Sequence, residues 1–196
     1  MKHIKKFNAL NDVLVDCQPF ISELKKCVNG NLDDPTYRFL TRGFDSEFKN
    51  ILKFKSRLLN RKPSDTPKEV HDYLNKLFYD KFGWFVRNGV FSIYGDYGQY
   101  SKYIVMPIGD YEIVWSDKYY DLYNKLSSML EYDTIEYTLS SKSSELKSIV
   151  DTYKEGDLNA AMNSGNEISI KCDSYYLIPI SYKEELIKLI WNDEKI

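Results

Sequence analysis

The chain has 196 residues, of which 43% are hydrophobic, 29% charged and 15% aromatic, with 27 Lys+Arg against 29 Asp+Glu for a formal net charge of -2. This aromatic content excludes intrinsic disorder, and the near balance of charge excludes a global basic field of the kind that gathers nucleic acid or anionic membrane. No apolar run reaches bilayer length, so the sequence predicts a soluble, cytoplasmic protein built as a single domain over residues 1–196.

In chain order, Phe7, Leu10, Leu14, Cys17, Ile21, Leu24 and Val28 recur at spacings of three and four. That stripe predicts an N-terminal helical segment over 1–30, divided or kinked at Pro19 and stopped by Asn29-Gly30. Residues 36–43 alternate and are rich in aromatic and β-branched types, which predicts a strand ending at Gly43; residues 44–59 give no clear period. Thr66, Pro67 and Glu69 predict a capped helix start, with Val70, Leu74, Leu77 and Phe78 on its buried face and Phe82-Gly83 at its end.

Beyond that helix, residues 90–94, 103–108 and 111–115 read as strands, the last two joined by a turn at Gly109-Asp110. Residues 119–131, 144–153 and 157–162 read as helices. Residues 167–172 and 175–180 read as a closing hairpin turning at Asp173-Ser174, followed by a helix over 182–191. Helices first and then irregular bursts of strands predict an α+β fold with a mixed, largely antiparallel sheet.

Several chemistries are missing. Cys17, Cys27 and Cys172 form an odd set without CxxC spacing, which predicts reduced thiols. His3 and His71 are the two histidines, so a His-based zinc site is not expected, and His71 reads as an ordinary helix-face residue. Neither GxxxxGK[ST] nor GxGxxG occurs.

Three polar residues stand in apolar strand contexts: Arg42 before Gly43, Ser92 within Val-Phe-Ser-Ile-Tyr, and Glu167 within Gly-Asn-Glu-Ile. Each has a plain reading as a strand charge or hydroxyl facing water. Taken in order, the segments 39–43, 90–94 and 165–168 resemble the Arg, Ser and Glu strands of the ADP-ribosyltransferase fold family. Residues 60–67, the helix after them and residues 103–115 resemble phage-encoded proteins of the same arrangement.

The resemblance spans residues 36–180 and implies a split, largely antiparallel sheet core. It implies NAD as substrate and a mono-ADP-ribosyltransferase, a glycosyltransferase acting on a host protein or RNA in the host cytoplasm. Arg42 and Gly43 would approach the dinucleotide phosphates, a role suited to the guanidinium fork. Ser92 would border the nicotinamide pocket and hold the carboxylate. Glu167 would bind the ribose and stabilise the cationic sugar as nicotinamide leaves. Tyr94, Tyr97 and Tyr100 would supply an aromatic wall.

The sequence departs from the family pattern in two places: Gly165 stands where arginine-modifying members carry a second Glu, and Tyr94 stands where a second hydroxyl residue is common. A catalytically degenerate member acting as a phage inhibitor or virion component is the competing expectation. Arg61 and Lys62, with Lys53, Lys55 and Arg57 before them, read either as a solvated loop or as a cluster for the NAD pyrophosphate or an RNA.

Overall fold

A computed structural model describes residues 2–27, 39–44, 46–58, 66–94, 102–130 and 134–191. They form eight α-helices and eight strands. The N-terminal stripe folds as α1 (Lys2–Asp16) and α2 (Gln18–Cys27), with the break at Cys17, so that Pro19, which has no amide hydrogen to donate, stands in the first turn of α2 where none is required. Leu10, Val13, Phe20, Ile21 and Leu24 of this pair are buried in the main core, each side chain contributing about 1.5–3 kcal/mol of transfer free energy.

The strands are β1 (Leu40–Arg42), β2 (Leu52–Lys55), β3 (Val90–Tyr94), β4 (Tyr103–Ile108), β5 (Glu112–Ser116), β6 (Tyr153–Glu155), β7 (Ile168–Lys171) and β8 (Ser174–Pro179). They run in the order β2-β8-β4-β1-β3-β7-β5-β6. Every described pairing is antiparallel. The order divides into two sheets that share β3, which pairs with β1 through Ile93 and Tyr94 and with β7 through Val90 to Ser92.

A second connection joins the two sheets. Strands β4 and β8 pair up to Ile108 opposite Ser174, and β5 and β7 resume at Glu112 opposite Lys171. Three residues of one strand thus face two of the other, a one-residue bulge that bends a single long ribbon from one sheet into the next. Gly109 takes the left-handed conformation there, at φ 66. Its amide donates to the Asp16 carbonyl at 3.0 Å, which ties the bend to the end of α1.

This ribbon corrects two expectations. Gly109-Asp110 does not close a β4–β5 hairpin, and Asp173-Ser174 does not close a β7–β8 hairpin; each of the four strands finds its partners elsewhere. Apolar runs flanking a turn signal look the same whether the chain folds back or crosses a bulge.

The remaining helices are α3 (Lys68–Phe82), α4 (Leu122–Leu130), α5 (Ile135–Ser141), α6 (Ser143–Asp151), α7 (Leu158–Ser164) and α8 (Lys183–Trp191). Helices α1, α2, α7 and α8 contribute to the main core with Ile113, Trp115, Ile168 and Ile170. A second core lies among α3, α4 and α6, with Val114 supplied by the sheet. Alternation along β5 sends Ile113 and Trp115 to the first core and Val114 to the second. Lys81 ends α6 by donating to the carbonyls of Val150, Asp151 and Tyr153 at 3.1, 2.9 and 2.8 Å.

The expected cap of α3 is also corrected. Pro67 occupies the cap position without a side-chain bond, and the Thr66 hydroxyl accepts instead from Arg87 at 3.0 Å. Gly83 closes this helix at φ 76, as its position in the sequence predicts.

Candidate functional site

Strands β1, β3 and β7, which carry or adjoin Arg42, Ser92 and Glu167, are consecutive in the sheet. Leu40 pairs with Tyr94 and Thr41 with Ile93, a register that continues to Arg42 opposite Ser92. Ser92 in turn lies opposite Ile168. Directly opposed residues share a face, so Arg42, Ser92 and Ile168 form one row across three strands.

Within the row the side chains differ. The Ser92 side chain is buried and donates to the Ile168 carbonyl at 3.4 Å, a main-chain partner rather than a carboxylate. Arg42 is half-buried, and its Nε donates to the Gly43 carbonyl at 3.3 Å. After Gly43 the chain is held by Phe44, which packs on Phe48, Phe54 and Tyr103 at ring separations of 5.8, 5.6 and 6.4 Å. The Tyr103 hydroxyl donates to the Ser46 carbonyl at 3.1 Å and accepts from the Phe48 amide at 3.0 Å, fixing this segment beside the end of β1.

Glu167 immediately precedes β7 and is half-buried. Its amide donates to the Tyr120 carbonyl at 3.0 Å, and the neighbouring Asn166 side chain donates to the Ser116 carbonyl at 2.7 Å. Since Ile168 shares the Ser92 face, alternation turns Glu167 to the opposite face. Burial first, and the Glu167 charge next, push the Tyr153 hydroxyl above its ordinary range, while Arg87 pulls the other way. The structure therefore brings the backbones of the three motif residues together but does not place the Glu167 carboxylate beside the Ser92 hydroxyl.

Gly165 terminates α7 in the left-handed conformation at φ 68. Helix termination accounts for glycine at this position. The Tyr94 side chain and all of Arg61, Tyr97 and Tyr100 lie outside the described residues.

A groove of about 670 Å³ opens beside Arg42. Lys53, Lys55 and Arg57 join Arg42 in lining it, with Phe44, Phe54 and Tyr175 as apolar surface. The rings of Phe54 and Tyr175 stack at 5.7 Å. Asn88 to Val90, where the chain enters β3, form another part of the lining, and none of the described lining residues is acidic. Lys53 is engaged with Asp16 at 3.1 Å. The groove therefore gathers cations over an aromatic floor that is largely packed into the core, Tyr175 being 8% exposed.

One side of this groove rests on a buried polar network that sequence reading did not find. Arg87 Nε donates to His71 Nδ1 at 3.2 Å, which leaves the ring proton on Nε2, facing Asn88 Oδ1 at 3.3 Å. Asn75 accepts from the Arg87 amide at 3.0 Å and donates to Asn88 at 3.1 Å. Asn88 donates to the Leu58 carbonyl at 2.8 Å, linking α3, the entry to β3 and the segment after β2. His71 is 2% exposed, so the plain helix reading of this residue agrees with a buried structural role.

Burial pushes the Cys17 thiol up to about 12 and the Cys27 thiol up to about 11, far from the thiolate a nucleophile needs. Among the described residues no group of three His, Cys, Asp or Glu is placed to hold a metal ion, and no helix is long and apolar enough to cross a membrane.

Comparison with family models, with curated proteins and with solved structures gives no match to this chain.

Proposed function

We propose that the protein is an NAD-dependent mono-ADP-ribosyltransferase with Arg42, Ser92 and Glu167 as its motif residues and a host protein or RNA as acceptor. One observation carries this reading: three short motifs separated by about fifty and seventy-five residues in sequence fall on, or directly beside, three consecutive strands in the order Arg, Ser, Glu. The split into two sheets at β3 agrees with the core expected from the resemblance.

In this reading Arg42, at the edge of a cation-rich groove, pairs with the NAD phosphates through its guanidinium fork. Cleavage of the nicotinamide–ribose bond leaves an oxocarbenium-like sugar, which a fixed carboxylate stabilises; Glu167 supplies it. Ser92 keeps the β3–β7 step in register through its bond to Ile168. Catalysis in this reading requires the sugar to reach the Glu167 face of the sheet, opposite the face that carries the Ser92 side chain.

A second reading, a catalytically degenerate interaction protein that keeps the fold, is favoured by one feature: the Glu167 side chain and the Ser92 hydroxyl lie on opposite faces. Incubation of purified protein with NAD separates the two. Nicotinamide release that is lost in Glu167→Ala supports the transferase. Saturable NAD binding without release supports the degenerate form, and neither binding nor release removes both.

A further inference from the structure

Strand β2 ends the sheet: among the described residues it pairs with β8 and with no strand on its other side. The Ser56 amide donates at 3.0 Å to the carbonyl of Asp173, which lies opposite it when the β2–β8 register is continued by one residue. In an antiparallel ladder bonded pairs alternate with unbonded ones, so Phe54 and Leu52 also bond to β8. The amides and carbonyls of Lys53 and Lys55 therefore point away from β8, to the open edge.

The side chains sort by face in the same way. Lys53 and Lys55 lie on the face of Tyr176 and Ser174, and the ladder bond of Ser56 carries the alternation on to Arg57. Leu52 and Phe54 lie on the opposite face, where Leu52 is 37% exposed. Lys53 already holds a carboxylate, that of Asp16 at 3.1 Å, which also accepts from Tyr176. Lys55 and Arg57 continue this row at a step of about 6.6 Å. Both are exposed, and among the described residues neither has an ion-pair partner.

Lysines on an edge strand discourage pairing with another sheet, and here the charge makes that rejection selective. A second copy of the chain fits badly, because antiparallel pairing of two β2 strands with their cations on one face sets Lys53 against Lys55. The same cations favour a strand that brings carboxylates. Rejection of like charge and selection of opposite charge are one property of the edge.

We propose that the β2 edge binds an extended acidic segment of a partner protein as an added antiparallel strand. Carboxylates of that segment stand opposite Lys55 and Arg57, and an apolar side chain lies beside Phe54 on the other face. Main-chain bonds to the edge supply affinity, and the alternation of acidic and apolar residues supplies specificity. The inference uses none of the three motif residues and does not rest on NAD cleavage.

The pairing dictates which amides matter. Residues opposite the lysines exchange main-chain bonds with them, so the segment's acidic residues turn their amides toward β2 and its apolar residues turn theirs away. The test is fluorescence anisotropy of a labelled peptide alternating Glu and Val, titrated with the full-length protein. Saturable binding is expected, about tenfold weaker in the double variant K55E/R57E, whose melting curve is expected to match wild type. N-methylation of a central Glu amide is expected to abolish binding, and N-methylation of the neighbouring Val amide to leave it. The methylated pair is read on wild-type protein and decides the question whether or not the variant folds. No saturable binding of the Glu/Val peptide, equal affinity in a folded K55E/R57E, or equal affinity of the two methylated peptides would overturn the proposal.

Discussion

Ser92 and Glu167 occupy neighbouring strand positions with their side chains on opposite faces of the sheet. The register that sets Ser92 against Ile168 leaves Glu167 one residue out of phase, and strand pleating does the rest. The hydroxyl thus bonds to a carbonyl across the ladder, while the carboxylate faces Tyr153 and the helices of the second core. Any chemistry that uses both residues has to reach both faces of the sheet.

The network of His71, Arg87, Asn75 and Asn88 predicts a stability effect. His71→Ala deprives the Arg87 and Asn88 side chains of a buried partner, which costs about 1–3 kcal/mol for an unsatisfied buried group. Urea denaturation is expected to show this loss as a lower midpoint. Lys68→Ala, which removes an exposed pair with Asp72 one turn along the same helix, is expected to leave the midpoint unchanged. Equal midpoints for wild type and His71→Ala would contradict the structural role of the network.

On the proposed function, Gly165→Glu introduces the second carboxylate that arginine-modifying ADP-ribosyltransferases carry at this motif position. The residue sits in the left-handed conformation at φ 68, so the substitution is expected to lower stability by about 1–2 kcal/mol before any gain in acceptor range appears. Gly165→Asn, which tolerates that conformation better, is expected to lose less. Chemical denaturation of the two variants checks the order, and equal losses would place the cost elsewhere.

Gly89 predicts a packing effect at the entry to β3. A Cβ there would meet the Ser169 hydroxyl at 2.3 Å and the Ile170 carbonyl at 2.9 Å, and the second contact is backbone that cannot swing aside. Gly89→Ala is expected to cost about 1–3 kcal/mol by overpacking. A denaturation midpoint equal to wild type would show that β3 and β7 separate more easily than their pairing implies.

Asp16 links α1 to the sheet, accepting from the Tyr176 hydroxyl at 2.8 Å and pairing with Lys53. The Tyr176 bond first, and Lys53 next, hold its carboxyl below the usual carboxylate range. A depressed folded value gives stability that is fully present above the unfolded aspartate value of about 3.9 and is lost as pH falls through the lower folded value. Solvent screening of this half-exposed group keeps the effect at roughly 1 kcal/mol or less. Stability is therefore expected to fall between pH 5 and pH 2 by more in wild type than in Asp16→Asn (a window of roughly the size set by a shifted aspartate). Parallel curves for the two proteins would remove the linkage.

Much of the sheet was legible in the sequence because its strands are short apolar runs bounded by turn residues. The bounds of β3 and β4 agree with the sequence reading residue for residue, and β5 differs by one position. Pairing was not legible: Gly109-Asp110 signals a turn, yet its left-handed glycine forms a bulge within a ribbon, and only the partner strand distinguishes the two. Strand β2 escaped notice because Leu52-Lys53-Phe54-Lys55 lies on an edge and buries little. For the site, Arg42, Ser92 and Glu167 stood out as polar residues in apolar strands. The Glu167 face depends on register, which no single segment contains. The role of Arg87 and Asn88 in the polar network carried no local signal, since their partners lie a dozen or more residues away along the chain.

Nicotinamide release from NAD by the purified protein, compared with Glu167→Gln, tests the proposed chemistry most directly. The variant keeps the side-chain shape and one oxygen acceptor but removes the anion that stabilises the departing sugar cation. Release is expected in wild type and is expected to fall on the order of 10²-fold in Glu167→Gln, with NAD affinity retained. Release at the same rate in both proteins, or none in either, would contradict a catalytic carboxylate at this position.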